Sequence, residues 1–483
     1  MDQTRFAARR AAFMEQLGDT IAVIPAGKLQ TRNDDVEHEF RQKSDFFFLT
    51  GFTEPDSVAV FDATHATEQY TLFVRPRDPE MEAWTGVRAG TEGAIERFGA
   101  DAAHDLADLD AWLRRRLVGR VAIAYALDGT SDERVLDAIA AAREHARRAG
   151  VTTPERITDP RAILHEMRTY KSPDEIEALR EACRISGVAH TEAMRFTRPG
   201  MNERQVQAAI EYVFMTMGSE RIGYGSIVAG GANATILHYV ENDQPLNDGD
   251  LLLVDAGAEY RHLTADITRT FPVNGRFTAP QRAVYDLVLD AERQVIDMCA
   301  PGLPYSEMHD RAVEILSHGL VDLGLLPGSG GEVIEKGWYR EFFFHGTGHW
   351  LGIDVHDAGA YKVDGTGRAL EPAMVFTVEP GLYIAQEKST LSLSNTSYDA
   401  QEVMQLTYEI GAREAKAEFA RRAEEAGSSD FEIPVEFLGI GVRIEDDILI
   451  TTDGHENLSV LSPVGPDDIE AVCSEESELP LFG

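Results

Sequence analysis

Four acidic side chains stand where a folded chain ordinarily places apolar ones. Asp255 closes the run Leu251–Val254, Asp266 lies within TADITRTF, Glu379 follows Val375–Val378, and Glu445 sits in VRIEDDILI. Such runs read as buried strands. A carboxylate there either turns to solvent or needs a compensating positive partner, because an unpaired buried charge is costly. Taken singly, each acid is most simply an exposed or salt-bridged one. Taken together with His349, which closes HGTGH, they point to divalent cations. An oxygen-rich set with one imidazole suits Mn2+, Mg2+, Co2+ or Zn2+. Four carboxylates are enough to bridge two ions, and a pair ~3.5–4 Å apart can activate water and polarise a carbonyl.

The histidines sharpen this reading. Three of the fourteen crowd into HGTGHWLGIDVHD: His345, His349 and His356. The i, i+4 spacing of the first two is that of a helical zinc motif, but Gly346 and Gly348 argue for an irregular or extended segment. His238, in ATILHYV, is a further candidate. A lone histidine is more often structural; beside a metal site it can donate a hydrogen bond to a developing oxyanion. Arg443 precedes Glu445 by two residues, so in a strand both share a face, where Arg443 would pair with a ligand carboxylate or with substrate.

The surrounding chain reads as α+β. In the first ~160 residues, residues 21–24, 46–49, 57–61, 70–74 and 121–124 are predicted strands, and 104–118 and 131–149 helices. The stretch TTPERITDPRAILHEMRTYKSP reads as the join to a second domain. That domain opens on a capping box, Ser172 with Glu175, and Pro173 at the first helical position. The same signal recurs at Asn202 with Gln205 and at Thr278 with Gln281. Strand-like runs separate and follow these helices. Residues 386–436, a Ser/Thr/Asn-rich segment and then a charged helical pattern, read as a surface insertion.

Composition narrows the partners. Lys and Arg number 45 against 82 Asp and Glu, a net charge of −37, which repels nucleic acid and anionic membranes. Such a surface suits high salt, where screening lengths fall to about 3 Å, or an ordinary acidic cytosolic protein. Cys183, Cys299 and Cys473 form no CxxC pair, so neither a disulfide framework nor a thiolate zinc site is expected. No apolar run approaches the ~20 residues of a membrane span. The first twenty residues lack a signal-peptide core, so a cytoplasmic location is expected.

The runs DAGAEYRHLTADITRTFPVNGRFTAPQ, HGTGHWLGIDVHD, TVEPGLYI and VRIEDDILIT resemble the pita-bread metallopeptidases, and among them the Xaa-Pro aminopeptidase (aminopeptidase P) family. RQKSDFFFLTGFTEPDSVAVF and EAWTGVR are similar to that family's N-terminal domain. The resemblance implies a ribonuclease-H-like α/β domain over residues 1–165 and a pita-bread catalytic domain over 166–483, carrying the insertion. It implies two divalent ions, Mn2+ by family preference. Asp255 would chelate one ion, Asp266 and Glu445 would bridge both, and His349 and Glu379 would complete the other. Glu379 would also carry a proton from water to the leaving proline nitrogen. His238 and His356 would hydrogen-bond the substrate carbonyl and the tetrahedral intermediate, while His345 and Arg443 would line the pocket. The substrates implied are peptides with proline at position two, and the assembly a homodimer or homotetramer. A dipeptide-only prolidase would share these ligands, and a non-catalytic protein on the same fold would be expected to have lost some of them. The 66 residues separating Glu379 from Glu445 are more than the family pattern leads one to expect; residues 386–436 account for the excess.

Overall fold

The computed structural model describes residues 3–477 and residue 479. The chain divides into two compact units, Met1–Arg168 and Thr169–Gly483.

In the first unit, apolar runs with no alternating pattern form strands buried on both faces, as a sheet covered on each side by helices requires. Ile21–Pro25, Val58–Phe61 and Tyr70–Val74 make an antiparallel meander. Ala102–Asp105 joins it in parallel at one edge, and Ala122–Ala124 and Arg156–Thr158 in parallel at the other. Leu109, Leu113, Val135, Ala138 and Ala142, from helices Leu109–Arg116 and Asp132–Ala149, pack with strand residues Val23, Val60 and Ile123. Phe6 and Phe13 of helix Gln3–Leu17 meet Phe47 and Phe61 edge-on, with centroids 5.7 and 5.5 Å apart.

Two expectations fail here. Residues 46–49 belong to a helix, Ser44–Thr50, closed by Gly51 at φ 63°. An uninterrupted apolar run carries no period, so a fully buried helix and a buried strand look alike. The helix expected over 104–118 starts at Leu109, because the residues before it form the strand Ala102–Asp105 and a short turn capped by Asp105. The proline-bearing join does contain the boundary between the two units, and it is structured: it supplies the edge strand Arg156–Thr158 and the helix Arg161–Thr169.

In the second unit all three capping boxes form, opening helices Pro173–Phe196, Glu203–Thr216 and Ala279–Met298. Together with Tyr305–Asp322 they pack in consecutive pairs over one large apolar core. Two antiparallel sheets carry the site: Ile227–Gly230, Leu251–Asp255 and Thr268–Pro272 in one, and Val375–Val378, Asp446–Ile450 and His455–Asn457 in the other. An isolated bridge between Thr268 and Glu445 joins them. A short ladder, Gly381–Tyr383 against Gly441–Arg443, lies beside this junction.

The insertion is a β-hairpin, Thr390–Ser394 with Ser428–Glu432, bearing two helices, Ala400–Ile410 and Ala412–Ala426. The single charged helix expected there is broken at Gly411, whose φ of 89° no helix accommodates. Among the described residues, no helix is long and apolar enough to cross a membrane.

Candidate metal centre

The two sheets deliver their acids to one place. Asp255 ends its strand, and the chain doubles back so that Ala256 N–H meets Ile267 O at 3.1 Å and Ala265 N–H meets Ala258 O at 3.1 Å. This brings Asp266 beside Asp255. Gly257 permits the close approach, since a Cβ there would lie 1.8 Å from Ala265 O. Asp266 therefore sits in the irregular link between strands, not within one. Glu445 falls at the Thr268 bridge, between the strands Gly441–Arg443 and Asp446–Ile450.

His349 and Glu379 arrive together. Residues 347–351 run antiparallel to Val375–Glu379, with Leu351 N–H to Val375 O, Thr377 N–H to His349 O and Glu379 N–H to Thr347 O at 2.8–3.0 Å. As the glycines suggest, the HGTGH segment is not helical. Gly348 is required here, because a Cβ would fall 1.9 Å from Thr377 O.

A cleft of about 290 Å³ results, lined by Leu237, His238, Asp255, Asp266, His345, Gly346, Gly348, His349, His356, Glu379, Arg443 and Glu445. All nine sequence-derived candidates reach it. Asp266, His349 and Glu445 each offer a donor atom within 4.8 Å of the others. His349 Nε2 lies 3.3 Å from Asp266 and 3.6 Å from Glu379. Its Nδ1 is 3.1 Å from Trp350 O; a carbonyl only accepts, so Nδ1 carries a proton and Nε2 is the ring atom turned to the acids.

The donor set fits divalent cations. Burial, then Asp255, raises the Asp266 carboxyl; burial, then Asp266 and Glu379, raises that of Glu445 far above the usual range. Burial also lifts Glu379, to about 7, against His349 and Arg443. For His349, burial is outweighed by Asp266 and Glu379, and its pKa rises to about 9. The cluster thus holds on to positive charge wherever it can, as oxygen-rich sites for doubly charged ions do. The trio Glu220, Glu259 and His262 also converges, but Arg221 already supplies its cation, paired with both glutamates.

Several residues that the sequence did not single out hold the centre in place. Tyr224 Oη lies 2.5 Å from both Asp255 and Asp266. Arg443 donates to Asp255 at 2.5 Å, to Thr268 Oγ1 at 3.1 Å and to Tyr383 Oη at 3.1 Å; Thr268 in turn donates to Glu445 at 2.6 Å. Arg269, fully buried, donates to Glu445 O at 2.8 Å and to Asp446 at 2.6 Å. Asp447 accepts the Asp266 N–H at 3.0 Å and faces Cys183 Sγ at 3.1 Å. Glu203 anchors the loop bearing His238 by accepting from Gly230 N, Asn233, Tyr239 and Gln244 N at 2.8–2.9 Å. The buried ion pair Lys171–Asp357, at 2.9 Å, fixes the residue after His356. The only sequence signal for any of these was position: Thr268, Arg269, Tyr383 and Asp447 lie within four residues of a candidate ligand.

Comparison with known proteins agrees with this geometry. Residues 177–452 match metallopeptidase family M24, and residues 6–124 match the aminopeptidase P N-terminal domain. The chain is 39% identical over 477 residues to the Xaa-Pro aminopeptidase of Escherichia coli strain K12, covering 98% of each. The structure of Pseudomonas aeruginosa aminopeptidase PepP superposes with a TM-score of 0.87 at 41% identity, covering 98% of both chains. A zinc-substituted E. coli aminopeptidase P in complex with product superposes at 0.86 and 39% identity, again over 98% of each chain. With its site assembled in the matched region and an aminopeptidase P N-terminal domain before it, the chain belongs to metallopeptidase family M24.

Proposed function

We propose that this protein is a two-metal Xaa-Pro aminopeptidase, releasing the first residue of peptides whose second residue is proline. The observation that carries this reading is the convergence of Asp255, Asp266, His349, Glu379 and Glu445 on one cleft, in a chain that also matches the aminopeptidase P N-terminal domain. That match favours the aminopeptidase over a dipeptide-only enzyme.

Asp255, Asp266, His349, Glu379 and Glu445 would hold the ions, with Asp266 and Glu445 as the shared carboxylates. When bound, two such ions activate water and polarise the scissile carbonyl. Glu379 accepts a proton from water and delivers it to the leaving proline nitrogen. That nitrogen belongs to a tertiary amide and departs only once protonated. Among the described residues, neither His238 nor His356 has a side-chain hydrogen-bond partner, and both line the cleft. Their ring N–H groups are free to meet the carbonyl oxygen as it gains charge. The ring centroids of His356 and His349 are 4.1 Å apart, which places His356 beside the ion-holding residues. Mn2+ as the ion, a homodimer or homotetramer, and a cytoplasmic location belong to the same proposal and rest on the family resemblance.

The test compares an Xaa-Pro-Yaa tripeptide, an Xaa-Pro dipeptide and an Xaa-Ala-Yaa control, with and without Mn2+. Ion-dependent release of the first residue from the tripeptide alone, or from tripeptide and dipeptide but not the control, supports the proposal. Cleavage of the dipeptide only would make the protein a prolidase. No cleavage by a chain with two bound ions would make it a binding protein.

A further inference from the structure

The extended segment that carries His349 has one edge bonded and the other part open. In such a segment successive residues turn their backbone groups to opposite edges. Thr347 O, His349 O and Leu351 N–H all turn to Val375–Glu379 and are bonded there at 2.8–3.0 Å. Gly348 and Trp350 therefore turn theirs the other way. At Trp350 that edge is covered: its N–H donates to Tyr361 Oη at 3.2 Å, and its carbonyl accepts from Asp357 N–H at 2.8 Å. At Gly348 it is open. Among the described residues, neither the N–H nor the C=O of Gly348 has a hydrogen-bond partner, and the N–H of Gly346 has none. Both glycines line the cleft, Gly346 exposed and Gly348 half-buried. Unpaired backbone groups along a strand edge are a template for another chain.

The two glycines differ in why they lack a side chain. Gly348 has no room for one, because of Thr377 O. Gly346 has room. Its φ lies outside the left-handed region, and the nearest atom to a Cβ there would be Gly348 O, at 3.8 Å. Neither the backbone nor the packing asks for glycine at 346. A methyl group there would stand in the cleft and crowd the open edge of Gly348. A bare Cα is what the close approach of a second backbone needs.

We propose that Gly348 is where the substrate's main chain docks beyond proline, as a short added strand. Gly348 N–H donates to the carbonyl of residue three, and Gly348 O accepts the N–H of that residue where it has one. Gly346 stays bare to let the peptide reach this edge. Proline has no N–H, so residue three is the first beyond the scissile bond that can exchange two hydrogen bonds with one partner. Because the grip is on the backbone, it holds whatever side chain residue three carries. The open edge is independent of what the protein cleaves; its occupant rests on the peptidase reading.

The experiment compares Ala-Pro-Ala-amide with Ala-Pro-ethylamide on the unaltered full-length protein loaded with Mn2+. The bond to be cut is identical in the two, and the ethylamide keeps the N–H of residue three but lacks its carbonyl. The longer compound should have a kcat/KM roughly tenfold higher, the size of one hydrogen bond. Gly346→Ala should match the unaltered protein in ion content and melting temperature, yet lose most of that tenfold advantage, mainly through KM. Equal kcat/KM for the two compounds overturns the proposal, and so does a folded Gly346→Ala protein that keeps the full advantage. Should the variant not fold, the two compounds on the unaltered protein decide alone. A protein that cleaves neither compound sinks the peptidase reading instead. The Kd of each compound then decides the edge: a tenfold weaker ethylamide supports it, and equal affinity or no binding overturns it.

Discussion

At the scale of single residues, the centre works by assigning protons and charges to particular atoms. Because Glu379 and His349 grip protons up to about 7 and about 9, an arriving ion must displace them. Ion affinity is therefore lowest at acid pH and rises as these groups deprotonate. We expect the apparent Kd for Mn2+ to fall from about pH 6 to about pH 9, the range over which Glu379 and then His349 lose their protons, with net proton release at pH 7 when binding heats are compared in buffers of different ionisation enthalpy. A pH-independent Kd would mean that these groups are not ligands. His356 makes a separate contribution. His356→Ala should lower kcat by roughly 10²–10³, the worth of one oxyanion donor, and leave ion content unchanged in elemental analysis. Much of this was legible beforehand: an acid at the end of an apolar strand is an anomaly that demands a partner, and HGTGH packs imidazoles too densely for chance. Tyr224 and Tyr383 were not legible, because a tyrosine in a strand or a glycine-flanked turn has an ordinary packing explanation until its hydroxyl is seen against Asp255 or His345.

At the scale of elements, capping boxes told more than apolar runs did. Ser172, Asn202 and Thr278 each fix a helix start through a local hydrogen-bond exchange, so the sequence alone locates them. Residues 46–49 misled because burial on all sides erases the period. The insertion shows how loosely one element can be attached. Among the described residues of its two helices only Ala415 is buried, whereas the hairpin below continues from the ladder that carries Tyr383 and Arg443. Asn395 N–H meets Gly427 O at 3.0 Å, and Ser394 pairs with Ser428. Deleting residues 396–426 therefore leaves Asn-Gly as a two-residue turn, the favoured type I′ sequence. The shortened protein should bind ions as before and melt within about 5 °C of the intact chain, a difference worth about 3 kcal/mol for a domain this size. Loss of ion binding in the shortened chain would show that the helices brace the centre from a distance.

At the scale of the whole molecule, the charge of −37 sets a repulsion that the fold must overcome. Raising ionic strength from about 0.1 M to about 1 M shortens the screening length from about 10 Å to about 3 Å. The melting temperature should rise with KCl over that range, followed by circular dichroism; a flat response would assign the acidity to ordinary surface composition. The five proposed ligands are spread along the chain from Asp255, at the end of a strand of one sheet, to Glu445, just before a strand of the other. A nascent chain consequently owns the first ligands long before it can use them. Helices opened by local signals can form as they emerge, but the ion-holding set is complete only when the segment around Glu445, near the end of the sequence, has left the ribosome. On the proposed reading, ion capture therefore falls at the close of synthesis, and a chain whose translation stops before Glu445 lacks one of the two carboxylates proposed to be shared.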